Sequence, residues 1–169
     1  MNYFELFEIP VQLKVDPAPL HKKFFAMSRK YHPDYYVNDK PEVQTEMLQR
    51  SAALNKAYKT FQNPDETIKY VLREKGLLVE EEKYELPPDF LMKVLEINEQ
   101  LMDEPDSKTA VGIGFAVDNL EKEIYDPVKE IVEHYKEGDT TEEELLRVKS
   151  YYYKKKYLDR IRQQLRGKT

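Results

Sequence analysis

Apolar residues recur every three to four positions along almost the whole chain, and alternating β-type runs are short or absent, so the pattern predicts an all-α protein. "NYFELFEI" reads as a short first helix ended by Pro10. "VQLKVDPAP" reads as a loop, with Asp16 placed to cap the next helix and Pro17 or Pro19 in its first turn. That second helix is expected from about Leu20 to Tyr31, because Leu20, Phe24, Met27 and Tyr31 fall at i, i+4, i+7 and i+11. Lys22, Lys23, Arg29 and Lys30 lie mostly away from this stripe, and the pattern assigns Phe25 to neither core nor solvent. Pro33 stops the helix, since a proline drives the residue before it, His32, out of the α region. After the loop "DYYVNDK", a third helix is expected from Pro41 to about Phe61, with Met47, Ser51, Leu54, Tyr58 and Phe61 inward. "QNPDE" breaks it, and "ETIKYVLREKG" makes a short fourth helix with Ile68, Val71 and Leu72 inward and Gly76 at its C-cap.

The acidic run and double proline of "LLVEEEKYELPP", residues 77–88, mark a boundary. Beyond it, a helix from Asp89 to about Met102 carries Phe90, Leu91, Val94, Leu95, Ile97, Leu101 and Met102, more apolar residues than one narrow stripe can bury. A long helix is expected from about Lys108 to Lys136, with Pro127 kinking or breaking it. "EGDTTEEE" supplies a turn and a capping box, Thr140 or Thr141 with Glu143 or Glu144. A last helix, about Thr141 to Arg166, places Leu145, Val148, Tyr152, Ile161 and Leu165 on one side. The architecture expected is a unit of a helical hairpin and short helices over 1–76, a linker over 77–88, and an antiparallel three-helix bundle over 89–169.

Charge divides the same way. Residues 1–75 carry a net +2 and residues 76–169 a net -7, which together make the -5 of the chain and point to two modules with different partners. No strongly basic domain exists to neutralise phosphates, which disfavours nucleic acid. The N-terminus carries Glu5 and Glu8 and no basic segment, unlike a signal or transit peptide, and no apolar run approaches the ~18 residues that span a bilayer. With no cysteine there are no thiolate metal sites, and a cytoplasmic location is expected. His21 and His134 are isolated and lack ligand spacing, so no metal and no cofactor is expected. Nothing supplies a nucleophile or a phosphate cradle beside His32 and Asp34, so the chain is not expected to be an enzyme and has no catalytic residues.

The tripeptide His32-Pro33-Asp34 has a plain reading as a helix stop, with the aspartate capping a turn. Its setting says more. "YFELFEIP", "LHKKFFAMSRKYHPD" and "LNKAYKTFQNPDETIKYV" together resemble the J-domain of DnaJ-type co-chaperones over about residues 2–75. The resemblance implies docking on an ATP-bound DnaK-type chaperone, with His32, Pro33 and Asp34 carrying the stimulation of ATP hydrolysis. The cations Lys22, Lys23, Arg29 and Lys30 would steer the encounter. Where general J-domains usually carry basic residues, this chain has Phe25 and Ala26, which thins the positive face and points to a specialised partner.

The second half resembles the HscB family, J-proteins of iron–sulfur cluster assembly, through "YVLREKG" before the acidic linker, "DFLMKVLEINEQLMDE" and "YYYKKKYLDRIRQQL". The glycines at 112 and 114, and Pro127, have no counterpart in the family pattern. The resemblance implies that the bundle binds the scaffold protein IscU and delivers it to the chaperone HscA, through Leu91, Met92, Leu95, Glu96, Glu99, Asp103 and Tyr157. Leu91, Leu95 and Glu99 follow at i, i+4 and i+8, while Met92, Glu96 and Asp103 share the neighbouring stripe, an apolar patch edged by carboxylates. A leucine stripe at helical spacing is usually core, yet Phe90, Val94, Ile97 and Leu101 already complete an inward face. The alternative is a J-domain protein that recruits a general DnaK-type chaperone to another client. "YYYKKKY" also has a bland reading, with tyrosines packed on the bundle and lysines reaching out to solvent.

Overall fold

The computed structural model describes residues 1–167, and every regular element among them is helical. The first four helices are α1 (Tyr3–Phe7), α2 (Pro17–Lys30), α3 (Pro41–Gln62) and α4 (Pro64–Glu74). Their ends follow local chemistry. Asn2 and Glu5 form a reciprocal capping box on α1, and the Asp16 carboxylate accepts from the Ala18 N–H at 3.3 Å at the start of α2. At the corner between α3 and α4, the Asn63 side chain accepts from the Asp65 and Glu66 N–H groups at 3.0 and 3.2 Å. The buried Thr67 hydroxyl contacts the carbonyls of Thr60 and Asn63 there, each at 3.0 Å. Gly76 takes φ +73°, the left-handed turn that glycine adopts without a Cβ penalty.

Contacts gather the chain into two compact units. The first holds Met1–Lys75 together with Glu133–Asp139, and the second holds Gly76–Val132 and the chain from Thr140 onward. In the first unit α3 is the spine, packed by α1, α2 and α4. Of the stripe expected of α2, Leu20, Met27 and Tyr31 are buried and Phe24 is half-buried, its ring stacked on Tyr58 of α3 at 4.1 Å. Leu54, Ala57 and Phe61 of α3 and Ile68 and Leu72 of α4 are buried in the same unit. Lys14 lies 3.7 Å from Glu133 and Lys75 pairs with Glu137, which ties the segment Glu133–Asp139 into this unit.

In the second unit α5 (Pro88–Met102), α6 (Ser107–Tyr125) and α8 (Glu142–Gly167) form a three-helix bundle. Its core is Phe90, Val94, Ile97 and Leu101 from α5, Ile113, Val117 and Leu120 from α6, and Leu158 and Ile161 from α8. Burying each such side chain stabilises the unit by about 1.5–3 kcal/mol. A short turn makes α5 and α6 antiparallel, and Lys93 bonds Glu123 across them at 3.0 Å. Helices α6 and α8 are antiparallel too, since Arg162 reaches Asp118 at 2.8 Å and Glu121 at 2.9 Å while the Tyr125 and Tyr151 rings meet at 5.4 Å. Helix α5 therefore runs parallel to α8. Burial opposes the charge on Arg162, but the carboxylates of Asp118, Glu121 and Asp159 outweigh it and raise its pKa.

The long helix expected from Lys108 to Lys136 breaks at Pro127, one of the two outcomes its sequence allowed. A 3₁₀ turn, Asp126–Val128, interrupts it, and it resumes as α7 (Lys129–Glu133), which ends short of Lys136. Pro127 has no N–H to donate, so the α-ladder fails there. Of the capping residues left open, the structure uses Thr141 and Glu144. The Glu144 N–H donates to Thr141 Oγ1 at 3.1 Å, and the Thr141 N–H to Glu144 Oε1 at 3.0 Å.

Gly112 and Gly114 sit inside α6, and a Cβ added at either would meet nothing within 4 Å. Glycine in a helix interior costs about 0.5–1 kcal/mol relative to alanine. Gly112→Ala/Gly114→Ala is therefore expected to stabilise the bundle by about 1–2 kcal/mol in chemical denaturation. A loss of stability would mean that these glycines serve a backbone geometry.

Candidate functional site

The tripeptide sits just past the end of α2. Tyr31 closes that helix, and His32 turns extended at φ -66°, ψ 128°, as the proline after it requires. Pro33–Tyr36 then form a 3₁₀ turn. The aspartate was expected to cap this turn, but the cap is His32, whose Nδ1 accepts from the Asp34 N–H at 3.2 Å. Asp34 is left pointing outward, its side chain 86% exposed, with one oxygen 3.7 Å from the imidazole. The turn is fastened from several sides. The Tyr31 hydroxyl donates to the Leu6 carbonyl at 3.0 Å, and the Tyr36 hydroxyl to the Lys30 carbonyl at 2.6 Å. Gln44 Nε2 donates to the carbonyls of Val37 and Asp39 at 3.1 and 3.0 Å. A fixed, exposed imidazole–carboxylate pair suits a docking contact, because little conformational freedom remains to be lost on binding.

The flanking cations are not equivalent. Lys22 and Arg29 are exposed and Lys23 is half-buried, and none has a carboxylate partner among the described residues. Lys30 bonds both oxygens of Glu8 at 3.1 and 3.2 Å, which leaves less of its charge for a visitor. Phe25 faces solvent and meets the His21 ring edge-on at 4.7 Å. His21 is exposed but not isolated, since its Nδ1 lies 2.9 Å from the Tyr58 hydroxyl.

On the bundle, α5 buries Phe90, Val94, Ile97 and Leu101 and leaves the rest outside. Leu95 is 57% and Met92 65% exposed, Leu91 is half-buried, and Glu96, Glu99 and Asp103 are all exposed. The surplus stripe is thus a surface, with carboxylates along its outer edge. Tyr157 of α8 is half-buried against the bundle core, with the Arg160 guanidinium 5.8 Å over its ring. Tyr151 and Tyr152 are buried, so two of the run's tyrosines do pack inward.

A family profile described as "HSCB C-terminal oligomerisation domain" matches residues 86–166, the bundle. Among curated proteins, a co-chaperone protein HscB homolog of Vibrio parahaemolyticus is 30% identical over 126 residues, 74% of each chain. The chain is a member of the HscB co-chaperone family. An HscB homolog of Photobacterium profundum extends the similarity over nearly the whole length, 28% identical across 98% of this chain and 95% of that one. Human co-chaperone protein HscB superposes with a TM-score of 0.78 at 25% identity, covering 99% of this chain and 82% of that one. HscB from Vibrio cholerae shares the fold, with a TM-score of 0.70 at 23% identity over 99% and 96% of the two chains. The chain is all-α, a J-domain followed by a helical domain, as in these HscB structures.

Within this HscB-family chain, sequence reasoning missed several residues around the candidate surfaces. Tyr36 and Gln44 fasten the tripeptide turn, yet Tyr36 bonds the carbonyl of Lys30 at the end of α2 and Gln44 bonds carbonyls of a loop, partners that no periodicity describes. Met102, Val111 and Phe115 stand exposed at 79%, 60% and 65%. Phe115 follows Val111 at i+4 on the outward side of α6, opposite the Ile113–Val117 stripe, so helical spacing was the signal that could have found it. Among the described residues no helix is long and apolar enough to cross a membrane.

Proposed function

We propose that the protein is a non-enzymatic adaptor that works in the cytoplasm. Its first domain, residues 1–76, docks on an HscA-like DnaK-type chaperone and stimulates ATP hydrolysis there. A linker over 77–88 leads to a bundle over 89–169 that holds an IscU-like iron–sulfur scaffold protein, so cluster assembly and transfer are coupled to the chaperone cycle. The observation that carries this reading is the outward-facing His32-Pro33-Asp34 turn at the end of a basic helix, in a chain of the HscB family. Asp34 offers an acceptor to a cation of the chaperone, and Lys22, Lys23, Arg29 and Lys30 bias the approach. On the bundle, Leu91, Met92 and Leu95 supply apolar contact, Glu96, Glu99 and Asp103 set register with a basic rim, and Tyr157 extends the contact onto α8.

The test is chaperone ATP turnover with this protein and the scaffold protein present together. Turnover is expected to rise well above that of the chaperone alone. No rise at saturating concentrations of both overturns the mechanism. Leu91→Ala/Leu95→Ala is expected to weaken retention of IscU by about ten- to a hundredfold in a pull-down or calorimetric titration. Leu95 is exposed and Leu91 half-buried, both off the buried Phe90–Leu101 face of α5, so the helix should stay folded by circular dichroism. Wild-type protein that stimulates a DnaK-type chaperone yet fails to retain IscU serves another client.

A further inference from the structure

A cleft of about 330 Å³ lies within the second unit, between residues 82–86 and α8. Tyr153, Lys156, Tyr157 and Arg160 follow at i, i+3, i+4 and i+7 and make one wall. The opposite wall includes Lys83, Leu86 and Tyr84, whose ring stacks on Tyr153 at 4.5 Å with only 7° between the planes. Three cations therefore ring an aromatic floor. Among the described residues none of Lys83, Lys156 and Arg160 has a carboxylate partner. The carboxylate in the lining, Glu82, is already used. It bonds Lys149 at 2.9 Å and the Tyr153 hydroxyl at 3.0 Å, and the Lys149 ammonium holds it below the usual carboxylate range. This is a local inversion of sign, because the chain from residue 76 onward carries a net -7 and the outer face of α5 shows Glu96, Glu99 and Asp103.

The cleft continues the surface on α5. The Lys154 ammonium stands 5.9 Å over the Phe90 ring, which sets the start of α5 level with Lys154. The two helices run parallel, so Tyr157, one turn further along α8, comes level with the Leu91–Leu95 segment. Leu86 and Tyr157 both pack on the same core cluster. The Arg160 guanidinium stands 5.8 Å over the Tyr157 ring, an arrangement that leaves its N–H edge for a carboxylate.

We infer that Lys83, Lys156 and Arg160 take carboxylates from an acidic segment of the same protein that docks on α5. This rests on the scaffold-binding reading and adds to it. The partner must be basic where it meets Glu96, Glu99 and Asp103 and acidic where it meets the cleft. Two oppositely charged contacts side by side fix the partner's orientation, since a reversed pose brings like charges together.

The experiment titrates the full-length protein with purified IscU at low and high salt, for wild type, Leu91→Ala/Leu95→Ala and Lys83→Gln/Lys156→Gln/Arg160→Gln. A zero-length carbodiimide, which joins lysine amines to carboxylates, then maps the contacts by mass spectrometry. The triple variant is expected to bind about tenfold more weakly at low salt, with the gap closing at high salt. Cross-links from Lys83 or Lys156 should land on Asp or Glu of IscU. Unchanged affinity of the triple variant, a weakening that salt does not reduce, or cross-links only at other lysines overturns the inference while leaving α5 as the docking helix. Absence of wild-type binding overturns the function reading itself, and the cleft's assignment with it. Circular dichroism of the triple variant checks that exposed Lys83, Lys156 and Arg160 leave the fold unchanged.

Discussion

His32→Gln leaves the helical fold standing and removes the rise in chaperone ATP turnover. The structural part of this expectation follows from exposure. The imidazole makes one local hydrogen bond, to the Asp34 N–H, and its side chain is 53% exposed. Losing such a bond at the surface costs about 0.5 kcal/mol, a small part of the stability of the first unit. The turn keeps its other fastenings, from Tyr36 and Gln44, and Pro33 still sets the backbone. The functional part follows from what is removed. Glutamine has polar reach but no ring, so the pair offered with Asp34 is gone. Stimulation is expected to fall at least about tenfold, a loss of about 1.4 kcal/mol or more in the stimulated step. Asp34→Asn, which keeps shape and removes charge, should fall in the same direction. Denaturant unfolding monitored alongside the ATPase assay separates the two effects. Full stimulation by a folded His32→Gln protein would sink the assignment of the tripeptide.

Phe61→Ala is expected to cost about 3–5 kcal/mol and to unfold most of the first unit near physiological temperature. Phe61 closes α3 at the meeting point of three helices. Its ring lies 4.7 Å from Phe4, 5.5 Å from Phe7, and 6.3 Å from both Tyr3 and Tyr70. It is 3% exposed, and Phe7 beside it is fully buried. Truncation removes the aromatic contacts and leaves a cavity that α1, a single short helix, is poorly able to fill. A unit of this size has only about 4–11 kcal/mol of total stability. The measurement is chemical denaturation followed by circular dichroism, with the chaperone assay as a second readout, since a melted first unit presents no ordered turn. A loss below about 1 kcal/mol would show that the aromatic cluster is not the core of this unit.

The helices were legible because their stripes, stops and caps are local. Leu20, Met27 and Tyr31 repeat at helical spacing and are buried, and Asp16 caps α2 from the position its side chain predicted. Pro33 turned His32 extended, and Gly76 ended α4 in the left-handed conformation. The long middle helix was harder. A proline is visible in sequence, but whether a helix bends through it or stops depends on what packs on either side. Here a 3₁₀ turn replaces the α-ladder at Asp126–Val128.

The candidate surfaces divide in the same manner. Leu91 and Leu95 were recognisable as surplus because Phe90, Val94, Ile97 and Leu101 already filled one face of α5. The His32–Asp34 hydrogen bond reversed the expected capping role, because a side chain's partner depends on the turn it finds itself in. Tyr36 and Gln44 reach carbonyls at the end of α2 and in the loop from outside the motif, and the cleft around Tyr84 and Tyr153 joins residues far apart in the chain.

Taken alone, the order of residues determined where helices begin and end, which faces turn inward, and that the two halves differ in charge. These depend on spacing and on backbone chemistry within a few residues, so they survive without knowledge of any neighbour. Only the tertiary structure decided which cations stay unpaired. Lys30 loses its freedom to Glu8 and Glu82 is taken by Lys149, while Lys83, Lys156 and Arg160 gather with no carboxylate partner among the described residues. Electrostatic pairing depends on distance in space, and folding sets those distances by packing apolar stripes that carry no charge at all.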